Sequence, residues 1–151
     1  PGVLGGGGVC RGGYLTGLEV VSLWPGVGGA VVPDCADRVR MYTAHYLGGM
    51  GSRKENFYNR LAARMGYPDA AQRVQELYLD GRPREAAAAI PQQFLERTCL
   101  LGPVGRIADT LREHAGAGVT TLSAMIFPVD AEDGLRTLRA LADALKKAGV
   151  G

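Results

Sequence analysis

The apolar positions of residues 33–97 recur at helical spacing. After residue 98 they alternate between short apolar runs and helical spacing. Cys35, Val39, Tyr42 and Tyr46 stand at steps of four, three and four, which is one helix face. Asp34 is placed to cap this helix, which is predicted to run to about Leu47, and Gly48-Gly49 offers a left-handed end. Ser52 and Glu55 have the S-x-x-E spacing of a capping box. They predict a second helix with Phe57, Leu61 and Met65 on its apolar face and Gly66 as its stop. Asp69 predicts a third helix through Leu79, ended by Gly81. Pro83 suits the first turn of an alanine-rich helix over 84–90, and Pro91 opens another over 92–97.

The rhythm then changes. Residues 98–101 read as a short apolar strand, turned by Gly102-Pro103 into a helix with Val104, Ile107, Leu111 and Ala115 on one face. Gly116 and Gly118 end that helix, and residues 119–126 read as a buried strand. Pro128 and Asp130 lead into a final helix with Leu135, Leu138, Ala142 and Leu145 expected inward. Strand, helix, strand, helix is the grammar of a parallel sheet with right-handed crossovers. Residues 1–30 differ: eleven are glycine, including Gly5 to Gly8. Such a segment has high backbone entropy and little to bury, so it is expected to be poorly ordered, with at most one strand over 18–24. The remainder, 31–151, is expected to form one domain of fold class α/β.

Composition narrows the classes. Hydrophobic residues make up 46% and charged residues 21% of 151, ordinary for a globular chain. The net charge of +2 is interspersed rather than gathered, which argues against a nucleic-acid surface. Cys10, Cys35 and Cys99 form no C-x-x-C pair, so neither a zinc site nor a disulfide framework is indicated, and a reducing cytoplasm is the expected compartment. No apolar run reaches the ~18 residues of a membrane span, and no signal peptide is evident. The chain begins at Pro1, not Met, which points to processing, an expression boundary or an incomplete reading frame.

Candidate chemistry is sparse. Gly48-Gly49-Met50-Gly51-Ser52-Arg53-Lys54 places glycines, a hydroxyl and two cations beside a predicted helix N-terminus, where free N–H groups favour an anion. The same residues also serve as a C-cap followed by a capping box, the commoner use. Gly26-Val27-Gly28-Gly29 has its third glycine misplaced for a dinucleotide fingerprint. His45 and His114 are lone histidines without partners at ligand spacing. Tyr42, Tyr46, Phe57 and Tyr58 are placed to stack on a ring system, although aromatics at helical spacing more often build a core. Cys99 reads as buried and inert. No Ser-His-Asp set or carboxylate pair stands out.

The stretch from Ala36-Asp37-Arg38-Val39 to Gly48-Gly49-Met50-Gly51-Ser52-Arg53, followed by Asn56-Phe57-Tyr58-Asn59, resembles the luciferase-like F420-dependent oxidoreductases. The likeness continues through Arg64-Met65-Gly66-Tyr67, Leu101-Gly102-Pro103 and Ala117-Gly118-Val119-Thr120-Thr121-Leu122, and covers residues 34–126. It implies a TIM-type (β/α)8 barrel with coenzyme F420 or FMN at the C-terminal ends of the strands. A barrel needs about 250 residues. The chain is therefore expected to be a partial barrel, its last two βα units preceded by a helical section. The resemblance implies hydride transfer or monooxygenation of a small organic substrate. It carries no catalytic residue over, and leaves Ser52 and Arg53 as cofactor-binding candidates near a phosphate or pocket rim. No metal is implied. Three readings compete: an oxidoreductase fragment inactive alone, a small α/β binding or scaffold module, and a stand-alone cofactor binder using residues 48–54. A half-barrel leaves sheet edges and an inner face uncovered, so self-association, as a homo-oligomer, or aggregation is the physical expectation.

Overall fold

The computed structural model of the chain describes residues 9–10, 14–23 and 32–150. The expectations for the glycine run and for Gly26-Val27-Gly28-Gly29 lie outside the described residues, whereas the strand expected over 18–24 is found over Tyr14–Leu23, with a second short strand at Val9–Cys10. The chain divides into two compact units: Ala36–Leu95, and Pro1–Cys35 together with Glu96–Gly151.

The first unit is helical. Helix α1 (Val32–Ala44) passes into a single π turn, His45–Gly49. Then follow α2 (Phe57–Arg64), α3 (Pro68–Leu79) and α4 (Pro83–Ala88), and α5 (Gln92–Thr98) leads out of the unit. Proline stands at the start of both α3 and α4, where its missing N–H costs no hydrogen bond. The core is built largely of small residues: Ala36, Val39, Ala44, Ala62, Ala71, Val74, Leu77, Ala86 and Leu95 are buried. Small side chains let short helices approach closely, and Tyr67 and Phe94 close one side edge to face at 5.4 Å.

Three helix starts and one helix face differ from those the sequence predicts. Asp34 falls within the first turn of α1 and Asp69 within the first turn of α3, rather than at their caps. The helix expected from Ser52 begins instead at Phe57, capped by Asn56. Its buried residue is Ala62, while Leu61 and Met65 are half-buried and Phe57 faces solvent.

The second unit holds the sheet. Strand β2 (Tyr14–Leu23) is central; β1 (Val9–Cys10) pairs antiparallel with its start. Strand β3 (Cys99–Gly102) lies parallel to β2 through Val20↔Cys99 to Leu23↔Gly102. Strand β4 (Thr121–Ile126) is parallel to β2 through Thr16↔Thr121 to Val21↔Ile126. Val20 and Val21 pair with both, so β2 separates β3 from β4. The two strands expected as neighbours are therefore not neighbours among the described residues. A parallel array is present, and among the described residues β3 and β4 do not pair with each other as successive strands of a barrel would.

Helices α6 (Val104–Gly116) and α7 (Ala131–Ala148) pack on this sheet. Leu100, Ile107, Ala108, Leu111, Leu141, Ala144 and Ala148 form the core, with Leu122 and Ile126 at its margin. All four residues of β3 are buried, but no residue of β4 is, contrary to the buried strand expected there. Helix cover reaches β4 only through Leu122 and Ile126, and its alternate positions Thr121 and Ser123 face solvent. Helix α7 also turns a different face inward from the one predicted. Gly134, Thr137, Leu141, Ala144 and Ala148 are buried, whereas Leu135 and Leu138 are exposed. Contact with α6 and the sheet selects the small residues, because they permit the closest approach.

Candidate functional site

The segment that carries the family resemblance folds into one structure at the end of α1. A π turn inserts a residue into the helical ladder and leaves carbonyls for other donors. Tyr46 and Leu47 supply those carbonyls. Asn56 Nδ2 donates to both at 3.0 Å, and Asn59 Nδ2 donates to Leu47 O at 3.0 Å and to Ala71 O at 2.6 Å. Asn56 is 2% exposed and does a second job, its Oδ1 accepting from Asn59 N as the cap of α2. The two amides of Asn56-Phe57-Tyr58-Asn59 thus fasten the π turn to α2 and α3.

The glycines of the same segment have a packing role. Gly48 and Gly49 do not adopt left-handed backbone, so they are not the C-cap that the sequence suggests. A Cβ at Gly48 would lie 2.3 Å from Tyr78 Cβ, and one at Gly49 would lie 2.6 Å from Tyr78 Cε1. They are glycine because α3 runs against them. Gly51 does have positive φ, +121°, and a Cβ there would meet Glu55 O at 2.4 Å. Residues 50–56 fold tightly on this pivot.

Ser52 and Arg53 sit in that loop, both exposed. Ser52 Oγ accepts from Glu55 N at 3.1 Å, and Ser52 O accepts from the same N–H at 3.2 Å. The capping-box pair therefore closes a turn rather than a helix. Gln75 Nε2 donates to Ser52 O at 3.4 Å and ties the turn to α3. Arg53 faces Asp80 at 3.3 Å, with 58% and 57% of their side chains exposed. The helix N-terminus lies four residues beyond Ser52, at Asn56, whose side-chain Oδ1 already accepts from the Asn59 N–H. The backbone donors expected to assist an anion at Ser52 are consequently not those of a helix end.

Beside the loop runs a line of rings. Tyr42 and Tyr46 lie 4.6 Å apart, with their hydroxyls 3.0 Å apart. Tyr58 meets Tyr46 edge to face at 4.8 Å, and Phe57 meets Tyr58 at 5.5 Å. His45 Nδ1 lies 2.9 Å from the Tyr78 hydroxyl. Phe57 is 52% and Tyr58 38% exposed, so the aromatic residues form a surface ladder rather than a core. The structure brings Ser52, Arg53 and this ladder into one unit. It places His114 in the other, on α6, and Cys99 buried in β3. Tyr78 was not legible as a site residue; its role depends on glycines thirty residues earlier in the chain. Among the described residues no cluster of His, Cys, Asp or Glu is arranged to hold a metal.

A groove of about 450 Å³ lies along α1 and α4, lined by Asp37, Arg40, Met41, Arg84, Ala87 and Ala88. Its half-buried cation is already engaged, since Arg40 donates to Asp37 at 2.6 Å and to Ile90 O at 2.5 Å. No helix among the described residues is long and apolar enough to cross a membrane.

Comparison with known proteins agrees with the sequence resemblance. No solved structure matches the chain. A protein of Mycobacterium tuberculosis provisionally named a coenzyme F420-dependent oxidoreductase is 30% identical over 103 residues, which cover 68% of this chain and 29% of that protein. The chain thus spans less than a third of the length of the relative it matches. The model of the luciferase-like monooxygenases matches residues 20–121, including the π turn, the asparagine clamp and strand β3, and the chain belongs to that family.

Proposed function

We propose that this chain is the C-terminal section of a luciferase-like oxidoreductase, and that by itself it does not turn over. The carrying observation is the family match over residues 20–121 combined with coverage of only 29% of the related protein. The relative's name favours coenzyme F420 over FMN. In the whole protein such a cofactor supplies two-electron transfer at its ring, to or from a small organic substrate, while the protein orients and binds it. A partial (β/α)8 barrel, with β3 and β4 among its strands, is the architecture this reading implies. A reducing cytoplasm is the compartment this reading implies.

The residues present fit only the edge of such a cofactor. Arg53 and Ser52 are exposed, and the Arg53–Asp80 pair at 3.3 Å is loose enough to yield to a phosphate. The groove along α1 and α4 is open and rimmed by charge, unlike the enclosed apolar cavity that would wrap a tricyclic ring. The ring site must be completed by other parts of the protein, so no step of the reaction is assigned to a residue of this chain.

Fluorescence titration of the chain with F420 and with FMN tests this reading. No saturable binding in the micromolar range is expected, and no hydride transfer. Tight binding or turnover by the chain alone would overturn the incomplete-site reading; if Arg53→Ala then left that binding unchanged, the loop of Ser52 and Arg53 would be excluded as the site. A second reading, a small α/β binding or scaffold module, is favoured by one observation. The most family-specific residues, Gly48, Gly49, Asn56 and Asn59, are spent on packing rather than on an open pocket.

A further inference from the structure

Tyr42, in the last turn of α1, and Tyr46, in the π turn, bring their hydroxyl ends together. The ring centroids are 4.6 Å apart, the planes are tilted by 45°, and the hydroxyl oxygens lie 3.0 Å apart. Aromatic pairs usually settle offset-stacked or edge to face. This pair does neither, because the hydroxyl contact holds it tilted. Each ortho carbon of a phenol is one bond from the carbon that bears the hydroxyl. Hydroxyls in contact therefore bring one Cε of each ring close as well. Two phenols joined through those carbons have the same three features: ring centres slightly closer than here, tilted planes, and hydroxyls side by side across the new bond.

The other tyrosines of the helical unit are placed differently. Tyr58 meets Tyr46 at 89°, an edge against a face rather than two hydroxyl ends together. The Tyr78 hydroxyl is engaged with His45 Nδ1 at 2.9 Å, and Tyr67 packs edge to face on Phe94.

We propose that Tyr42 and Tyr46 are a site of oxidative modification, joined into dityrosine within one chain by a one-electron oxidant generated from hydrogen peroxide. Each phenol loses the electron and proton of its O–H bond. The two radicals form one Cε–Cε bond, and the hydrogen displaced from each Cε returns as a proton to its own oxygen. The two electrons and two protons released reduce one hydrogen peroxide to two waters. Preset contact turns an encounter between radicals into a step within a single turn of helix. The staple so formed ties the end of α1 to the π turn, whose carbonyls Asn56 and Asn59 already hold. Both rings belong to the helical unit, and the inference is independent of the oxidoreductase reading.

Treatment of the full chain, at high dilution, with hydrogen peroxide and a haem peroxidase tests it. Cleavage after arginine and lysine releases residues 41–53 as one peptide, which holds Tyr42 and Tyr46 and no other tyrosine. That peptide is expected to lose two hydrogens and to gain the blue fluorescence of dityrosine, while the chain keeps the mass of a monomer. Oxidation of Met41 or Met50 adds oxygen instead and is told apart by mass. Tyr42→Phe and Tyr46→Phe keep the rings and should each abolish the change. In concentrated urea, where the pair is no longer preset, the natural chain should yield far less of it. A peptide that stays unchanged while tyrosines cross-link between chains overturns the inference. So does a loss of two hydrogens that survives Tyr42→Phe, or a yield that urea leaves unaltered.

Discussion

Gly48 shows how one residue type can be read in two ways. A glycine pair after an apolar helical run looks the same whether it ends the helix or admits a neighbour. Here it admits Tyr78, thirty residues away in sequence, and no local pattern carries that information. Gly48→Ala is therefore expected to destabilise the chain by about 1–3 kcal/mol through overpacking, measured by urea denaturation. In the background of Tyr78→Ala the same change should cost much less; equal costs in both backgrounds would show that close approach is not the reason for glycine. Asn56 offers a second test. Its Oδ1 caps α2, and its Nδ2 donates to Tyr46 O and Leu47 O. Asn56→Asp keeps the cap but turns an oxygen toward two carbonyls in a buried place, and should cost about 2–4 kcal/mol. A loss no greater than the ~1 kcal/mol of an ordinary cap would mean that the clamp on the π turn contributes little. The sequence advertises both asparagines through the family resemblance, but the carbonyls they satisfy become available only once the helix bulges.

Most helices were legible as elements, because periodicity and proline placement report on local backbone. Helix α4 starts at Pro83 as the sequence predicts, α3 starts at Pro68 where the sequence suggests Asp69 as the cap, and α6 and α7 cover the predicted spans. Direction was less legible. The larger residues of α7, Leu135 and Leu138, suggested an inward face, while the smaller Gly134, Thr137 and Ala144 took it. Side-chain size records hydrophobicity, but packing distance depends on smallness, and the two criteria point to faces that adjoin. Asp130 was correctly placed before α7, and its side chain accepts from Asp133 N at 2.8 Å. Asp130→Ala should lower stability by about 1 kcal/mol, read as a shift in urea midpoint, whereas Asp130→Ser should retain most of it. At α4, Arg82 binds Glu85 with both guanidinium arms, at 2.7 and 2.5 Å. Accepting these hydrogen bonds holds the Glu85 carboxyl below its usual range. A carboxyl whose folded value lies below its unfolded value adds stability above the unfolded value of about 4.3, and loses it as pH falls through the lower folded one. The difference in melting temperature between the natural chain and Glu85→Gln should be small, present at neutral pH, and absent well below the carboxylate range. A difference that persisted there would mean that Glu85 acts through something other than its charge.

At the scale of the molecule the sequence disclosed the strands near residues 99 and 121 but not their order. Strand pairing is non-local, and an apolar run does not name its neighbour. That β2 separates β3 from β4 could be learned only from the fold. The same limit hid the division into two units, since one expected domain, 31–151, spans both. The helical unit is continuous in sequence, Ala36–Leu95, and has its own buried set in Val39, Val74, Leu77 and Leu95. The sheet unit depends on Leu100, Ile107 and Leu111. This separation predicts that stability is not shared evenly. Ile107→Ala removes a fully buried side chain of the sheet unit and should cost about 2–5 kcal/mol there. Amide hydrogen exchange should then speed up in α6, α7 and β3, while the amides of α3 keep their original rates. If α3 lost protection by the same factor, the chain would unfold as one cooperative body, and the helical section would depend on the sheet for its stability. If α3 held, residues 36–95 would be a folding unit in their own right, carrying the family's most specific motif on a scaffold that needs no complete barrel to form.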